Sequence, residues 1–188
     1  MPKSPILTLY NAKNTVFSTK DVALLWNEND PGLVKKRLYR YVQTGKLYSI
    51  RKGFYARDKN YDKLELATKI YTPSYVSLET VLAKAGITFQ MYSQIFIISY
   101  LTREIEADGQ EYFFRKIKST ILTNGSGVEQ AGNYSIAIPE RAFLDTVYLN
   151  KNYHFDNLDA LDWKKVFSIL PIYRNKRVEQ AVKSYYSK

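Results

Sequence analysis

The chain has 188 residues, 45% apolar and 24% charged, a balance that suits one large or two small globular domains with real cores. It contains no cysteine, which excludes disulfides and thiolate metal sites and fits a cytoplasmic location. Its net charge of +10 is unevenly spread: residues 1–60 carry 12 Lys and Arg against 4 Asp and Glu, and residues 61–188 carry 16 against 14.

In chain order, residues 4–12 read as a short helix with Ile6, Leu7, Leu9 and Tyr10 as its apolar positions, and residues 15–17 as extended. Ser18 is an N-cap candidate, with Asp21 three residues on forming an imperfect capping box, for a helix that runs to near Asn29. Asp30-Pro31 starts another, because an acidic cap precedes a proline whose missing N–H costs nothing at the first helical position. That helix extends to about Gln43. Val34, Leu38, Tyr41 and Val42 share one face at i, i+4, i+7 and i+8. Lys35, Lys36, Tyr39, Arg40 and Gln43 point elsewhere, and Gly45 is placed to end the helix in a left-handed turn. Two β segments follow at 47–51 and 54–57, with Lys52-Gly53 at the bend.

Helix, helix, helix and hairpin within about 60 residues predict a winged helix-turn-helix domain over 1–60, with 58–62 as a polar linker. In that arrangement the third helix enters the major groove and the hairpin lies against the phosphate backbone or the minor groove. Lys35, Lys36, Tyr39, Arg40, Gln43, Arg51 and Lys52 are therefore the candidate contacts to double-stranded DNA. The basic excess of residues 1–60 points the same way, and no basic helix with a broad apolar face suggests a membrane surface instead.

The second module, 61–188, reads as α+β. A helix around Leu64, Leu66, Ala67 and Ile70 is closed by Pro73, and a second over 77–85 is capped by Gly86. Strands are expected at 92–101 and 112–117 around the turn 107–110, at 120–122 and at 134–138. The stretch Asn124-Gly125-Ser126-Gly127 reads as a flexible loop. Three helices, at 139–149, 158–170 and 176–186, close the chain. No apolar run, that at 95–98 included, is long enough to cross a bilayer, and the first residues lack the pattern of a signal peptide.

Enzymatic motifs are sparse. The single histidine, His154, has no second His or Cys to complete a metal set, so it reads as a surface residue. No P-loop, nucleophile elbow or dinucleotide fingerprint occurs, and no catalytic residue, metal or cofactor is expected. Arg141 and Asp145 are an i,i+4 pair, read as structural, and Glu140 shares their helix. Glu79 with Asp145 is the one carboxylate pair from which a small metal-dependent nuclease could be built.

Three stretches, SIRKGFYA at 49–56, PSYVSLETVLAKAGI at 73–87 and AIPERAFLDTVYL at 137–149, together resemble the AbiEi-type antitoxins of type IV toxin–antitoxin systems in order and spacing. The resemblance covers about residues 15–150. It implies an N-terminal winged helix that represses its own promoter at inverted repeats, with Lys35, Lys36, Arg40, Arg51 and Lys52 facing DNA. It also implies a C-terminal antitoxin domain that counteracts a nucleotidyltransferase toxin encoded downstream, with or without a stable complex. In the PERAFLD helix, Pro139 takes the first helical position and Ala142, Phe143 and Leu144 pack. The competing expectations are the nuclease and a plain winged-helix transcription factor whose second module senses a ligand or dimerises.

Overall fold

The computed structural model describes residues 4–187, and the chain divides into two compact units with the boundary after Leu66. The fold is mixed α+β, with one sheet in each unit.

The first unit runs α1 (Pro5–Tyr10), β1 (Val16–Ser18), α2 (Thr19–Trp26), α3 (Pro31–Gln43), β2 (Tyr48–Arg51) and β3 (Phe54–Ala56). β3 lies between β1 and β2, antiparallel to both. The capping box at the start of α2 is complete: the Asp21 amide donates to Ser18 Oγ at 3.1 Å, and the Ser18 amide to Asp21 Oδ2 at 2.9 Å. α2 is shorter than expected, because Asn27 turns left-handed at φ 51° and leaves residues 27–30 as a tight connection. Asp30 then caps α3 through the amides of Gly32 and Leu33, and Gly45, at φ +68°, follows its last turn. Leu9, Phe17, Val22, Val34 and Leu38, from α1, β1, α2 and α3, form the core together with Leu47, just before β2. Trp26 closes it, donating its indole N–H to the Pro5 carbonyl at 2.7 Å and meeting Tyr41 edge-on.

Residues 58–62 are not a free linker. Tyr61 is buried, and the Asp62 amide donates to Thr15 Oγ1 at 2.9 Å. The buried carboxylate of Glu65 accepts from the Thr15 amide, the Thr15 hydroxyl and the Asn14 side chain, so the chain leaving β3 is stitched to the start of β1.

The second unit takes in the second half of α4 (Lys63–Ile70), then β4 (Ser74–Val76), α5 (Glu79–Lys84), β5 (Ile95–Ser99), β6 (Arg103–Ala107) and β7 (Gln110–Lys116). It continues with α6 (Ser119–Leu122), β8 (Val128–Ala131), β9 (Tyr134–Ala137), α7 (Pro139–Leu149), α8 (Trp163–Ile169), a 3-10 turn (Leu170–Tyr173) and α9 (Lys176–Tyr186). Its six-stranded sheet has the order β6-β7-β5-β4-β9-β8. β5–β7 and β4–β9 are parallel and the other pairs antiparallel.

Several expectations change here. The turn at 107–110 joins β6 to β7, whereas the 92–101 strand, shortened to β5, pairs with β7 in parallel. β6 and β8 are edge strands, whose charged and polar composition protects an open edge and hides the apolar alternation. Residues 120–122 form a helical turn rather than a strand, and the expected helix over 158–170 begins only at Trp163, where Asp162 caps it. β4, only three residues long, is too short to show a period, yet it lies inside the sheet.

Candidate nucleic-acid interface

α3 separates its residues cleanly. At 100° per residue, Lys35, Lys36, Tyr39, Arg40 and Gln43 span an arc of about 140° on the side away from buried Val34 and Leu38. All five are exposed, Tyr39 at 67%, and their side chains meet no hydrogen-bond or ionic partner among the described residues. Arg37, at the edge of that arc, differs: its Nη1 lies 3.4 Å from Glu28 Oε2 on the preceding turn. The apolar face holds the helix against Leu9, Phe17 and Val22, so the opposite face presents three unneutralised cations, a phenol and an amide on a rigid support.

The hairpin holds the other two predicted residues, in unequal settings. Lys52 occupies the exposed turn between β2 and β3. Gly53 beside it, at φ +85°, accepts at its carbonyl from the amide of Thr19 at 3.0 Å, which fixes the turn to the first residue of α2. Arg51 ends β2, where the pairing with β3 slips between Ser49 and Arg51. It is half-buried, and its Nη1 is enclosed without a hydrogen-bond partner among the described residues. The five α3 residues are thus gathered on one helical face, whereas Arg51 and Lys52 belong to a separate hairpin.

Lys20 in the first turn of α2 and Lys46 just past Gly45 are further exposed cations of this unit outside the predicted set. No periodicity singles them out in the sequence. Arg57 is spent internally, donating to the carbonyls of Tyr10 at 2.9 Å and Asn14 at 3.2 Å. Lys59 lies over the Tyr48 ring at 5.7 Å.

The carboxylates considered for catalysis are placed differently. Arg141 and Asp145 on α7 are both fully buried. Asp145 accepts from Arg141 Nε at 3.3 Å, from the hydroxyls of Tyr75 and Ser77 at 2.9 Å each, and from that of Tyr173 at 2.7 Å. Arg141 also donates to the carbonyls of Ile121, Asn124 and Ser126 and to the Tyr75 hydroxyl, pinning the loop expected to be flexible. Burial raises the Asp145 carboxyl above its usual value, against the lowering pull of Arg141 and the three hydroxyls. Burial likewise raises Tyr75 and Tyr173 well above 10, helped by the neighbouring Asp145 charge. Both oxygens of Asp145 are occupied by protein donors, and among the described residues no group of three or more His, Cys, Asp or Glu is arranged to hold a metal ion. His154 is highly exposed and lies 3.5 Å from Asp156. No helix among the described residues is long and apolar enough to cross a membrane.

No protein-family model matches the chain, and no curated protein sequence does.

Proposed function

We propose that this protein is a cytoplasmic winged helix-turn-helix regulator that represses its own promoter and serves as the antitoxin of a type IV toxin–antitoxin pair. The observation that carries the DNA-binding part is the face of α3, where Lys35, Lys36 and Arg40 are exposed and unpaired beside Tyr39 and Gln43. The order α1-β1-α2-α3-β2-β3, with the short turn 27–30 between α2 and α3, supports α3 as the helix that enters the major groove. β2 and β3 are then the wing. The enclosed, unpartnered Arg51 Nη1 supports the same reading, because a buried guanidinium donor is costly until it meets an acceptor such as a phosphate oxygen.

The antitoxin part rests on the resemblance of residues 49–56, 73–87 and 137–149 to AbiEi-type antitoxins. The buried Arg141–Asp145 network supports a structural role for the PERAFLD helix in that module rather than a catalytic one.

The test is an electrophoretic shift of the full chain on the DNA upstream of its own gene. Retardation at ~50 mM salt is expected, with log K falling against log[salt] at a slope of about −5 to −7 for six to eight phosphate contacts. No retardation overturns the DNA-binding reading. The antitoxin reading is tested separately, by co-expression with the neighbouring nucleotidyltransferase: growth must be restored by the intact chain. DNA binding without rescue would leave a plain transcription factor.

A further inference from the structure

The near balance of charge over residues 61–188 hides a segregation. Residues 61–162 carry 9 Lys and Arg against 13 Asp and Glu, and residues 163–188 carry 7 against 1. α8 and α9 supply most of that second basic block, and they place it where local physics disfavours it. Asp162 and Asn175 cap the two helices, yet the first turns then hold Lys164 and Lys165 in α8 and Lys176 and Arg177 in α9, with Arg174 just before. Cations at the positive end of a helix are unfavourable, and a local rule broken without local gain marks a second constraint. Only Arg177 has a gain, donating to the carbonyls of Tyr148 at 2.7 Å and Asn150 at 3.3 Å. The side chains of Lys164, Lys165, Arg174, Lys176 and Lys183 are exposed and have no partner among the described residues.

Aromatic rings lie among these lysines. Trp163 and Phe167 of α8 and Tyr186 of α9 form a triad with centroids 5.2–6.2 Å apart. Trp163 is anchored on Phe143 beneath, whereas Phe167 is 36% and Tyr186 58% exposed. At 100° per residue, Lys164 comes next to Phe167 on the solvent side of α8, and Lys183 next to Tyr186 on that of α9. Each exposed ring is therefore flanked by an unpaired ammonium group.

We propose that the α8–α9 face binds single-stranded nucleic acid without sequence preference, bases stacking on Phe167 and Tyr186 while Lys164, Lys183 and Lys176 meet the phosphates. Rings interleaved with cations are the general solution for a strand whose base faces are free. A duplex hides those faces in its stack and has no use for the rings. A membrane surface fits less well, because α9 has already spent Val178 and Val182 on the core, which leaves the rings of Phe167 and Tyr186 rather than a broad apolar face to insert.

The experiment titrates the full-length protein with a labelled oligo-dT strand, following anisotropy and tryptophan fluorescence at low salt. Binding with quenching of Trp163 is expected. The K164E/K183E double variant should weaken it by at least about tenfold, and F167S by about tenfold with an unchanged salt slope. Both variants should keep the wild-type melting temperature and the wild-type shift of duplex upstream DNA. Three results would overturn the assignment: oligo-dT binding by K164E/K183E equal to wild type, loss of oligo-dT binding in a K36A/R40A variant, or equally tight and K164E/K183E-sensitive binding of phosphatidylserine vesicles or polyglutamate. None of these depends on whether upstream DNA is bound, so the operator reading stands or falls on its own test.

Discussion

The backbone amide of Thr19 donates to the carbonyl of Gly53 at 3.0 Å, which ties the turn of the β2–β3 hairpin to the first residue of α2. The Thr19 hydroxyl adds a longer contact to the same carbonyl at 3.4 Å. The turn that presents Lys52 is thus held by main-chain hydrogen bonding rather than left to project freely.

Gly53→Ala tests that tie. Gly53 sits at φ +85°, where a side chain is strained even though the added Cβ would meet only the Thr19 hydroxyl, at 3.8 Å. A loss of about 1–2 kcal/mol is expected. Thermal melting reads it, together with weaker DNA retardation as the turn loses its fixed position. An unchanged melting temperature would show that the turn tolerates another conformation.

The cations of α3 should not be equivalent. Arg40→Ala and Lys36→Ala are expected to weaken upstream-DNA binding and to lower the salt slope by about one each where the residue meets a phosphate. Arg37→Ala, whose guanidinium is already engaged by Glu28, should change both quantities less. Changing Arg51 and Lys52 together to Ala should weaken binding uniformly across DNA sequences. Side-by-side salt titrations distinguish the four, and a larger effect at Arg37 than at Arg40 would contradict the assigned face.

The buried network of α7 should be intolerant of losing one partner. Asp145→Asn leaves the buried Arg141 guanidinium without its counter-charge, and a loss of about 3–5 kcal/mol is expected. Denaturant unfolding of the variant measures it. A loss below ~1 kcal/mol would mean that the hydroxyls of Tyr75, Ser77 and Tyr173 and the loop carbonyls hold the site alone.

Gly127→Ala should destabilise the same region by a different route. Its Cβ would come within 2.8 Å of Ile169 Cδ1 and 2.9 Å of Arg141 Cβ, at a φ of +73°. Overpacking and backbone strain act together, and about 2–4 kcal/mol is expected from the same unfolding measurement.

Alkaline pH should unfold the protein through Tyr75 and Tyr173. Their folded pKa values lie well above the ordinary 10, chiefly because burial disfavours the phenolate. Above pH 10 the unfolded chain loses these protons while the folded chain keeps them. The native state then binds more protons, and stability falls as pH rises through that range. Urea midpoints measured from pH 8 to pH 11 should decline above 10, and Tyr75→Phe with Tyr173→Phe should flatten the decline. A decline as steep in the double variant would place the effect elsewhere.

Local signals carried the first unit a long way. Ser18 and Asp21, Asp30-Pro31 and Gly45 mark helix ends through short-range hydrogen bonding and backbone preference, and the structure places helix ends at all three. The solvent face of α3 follows directly from the 3.6-residue period once Val34 and Leu38 are assigned to the core. The burial of Arg141 and Asp145 was not legible, since an i,i+4 pair on a helix looks the same exposed or enclosed. What encloses them arrives from Tyr75, Ser77, Ile121 and Tyr173, far away in the chain.

The order of strands was likewise a tertiary decision. Nothing local in β5 says that it pairs with β7 in parallel rather than across the turn at 107–110, because hydrophobic alternation specifies which face is buried and not which neighbour supplies the hydrogen bonds. The same division holds for charge: the sequence alone counts the lysines, but only packing shows that Arg37, Arg57 and Arg177 are spent on Glu28 and backbone carbonyls while Lys36, Arg40, Lys164 and Lys183 remain open to solvent. Composition sets how much charge a chain has. Folding decides which of it is neutralised, because a counter-charge or carbonyl acts only over the few ångströms that tertiary contact provides.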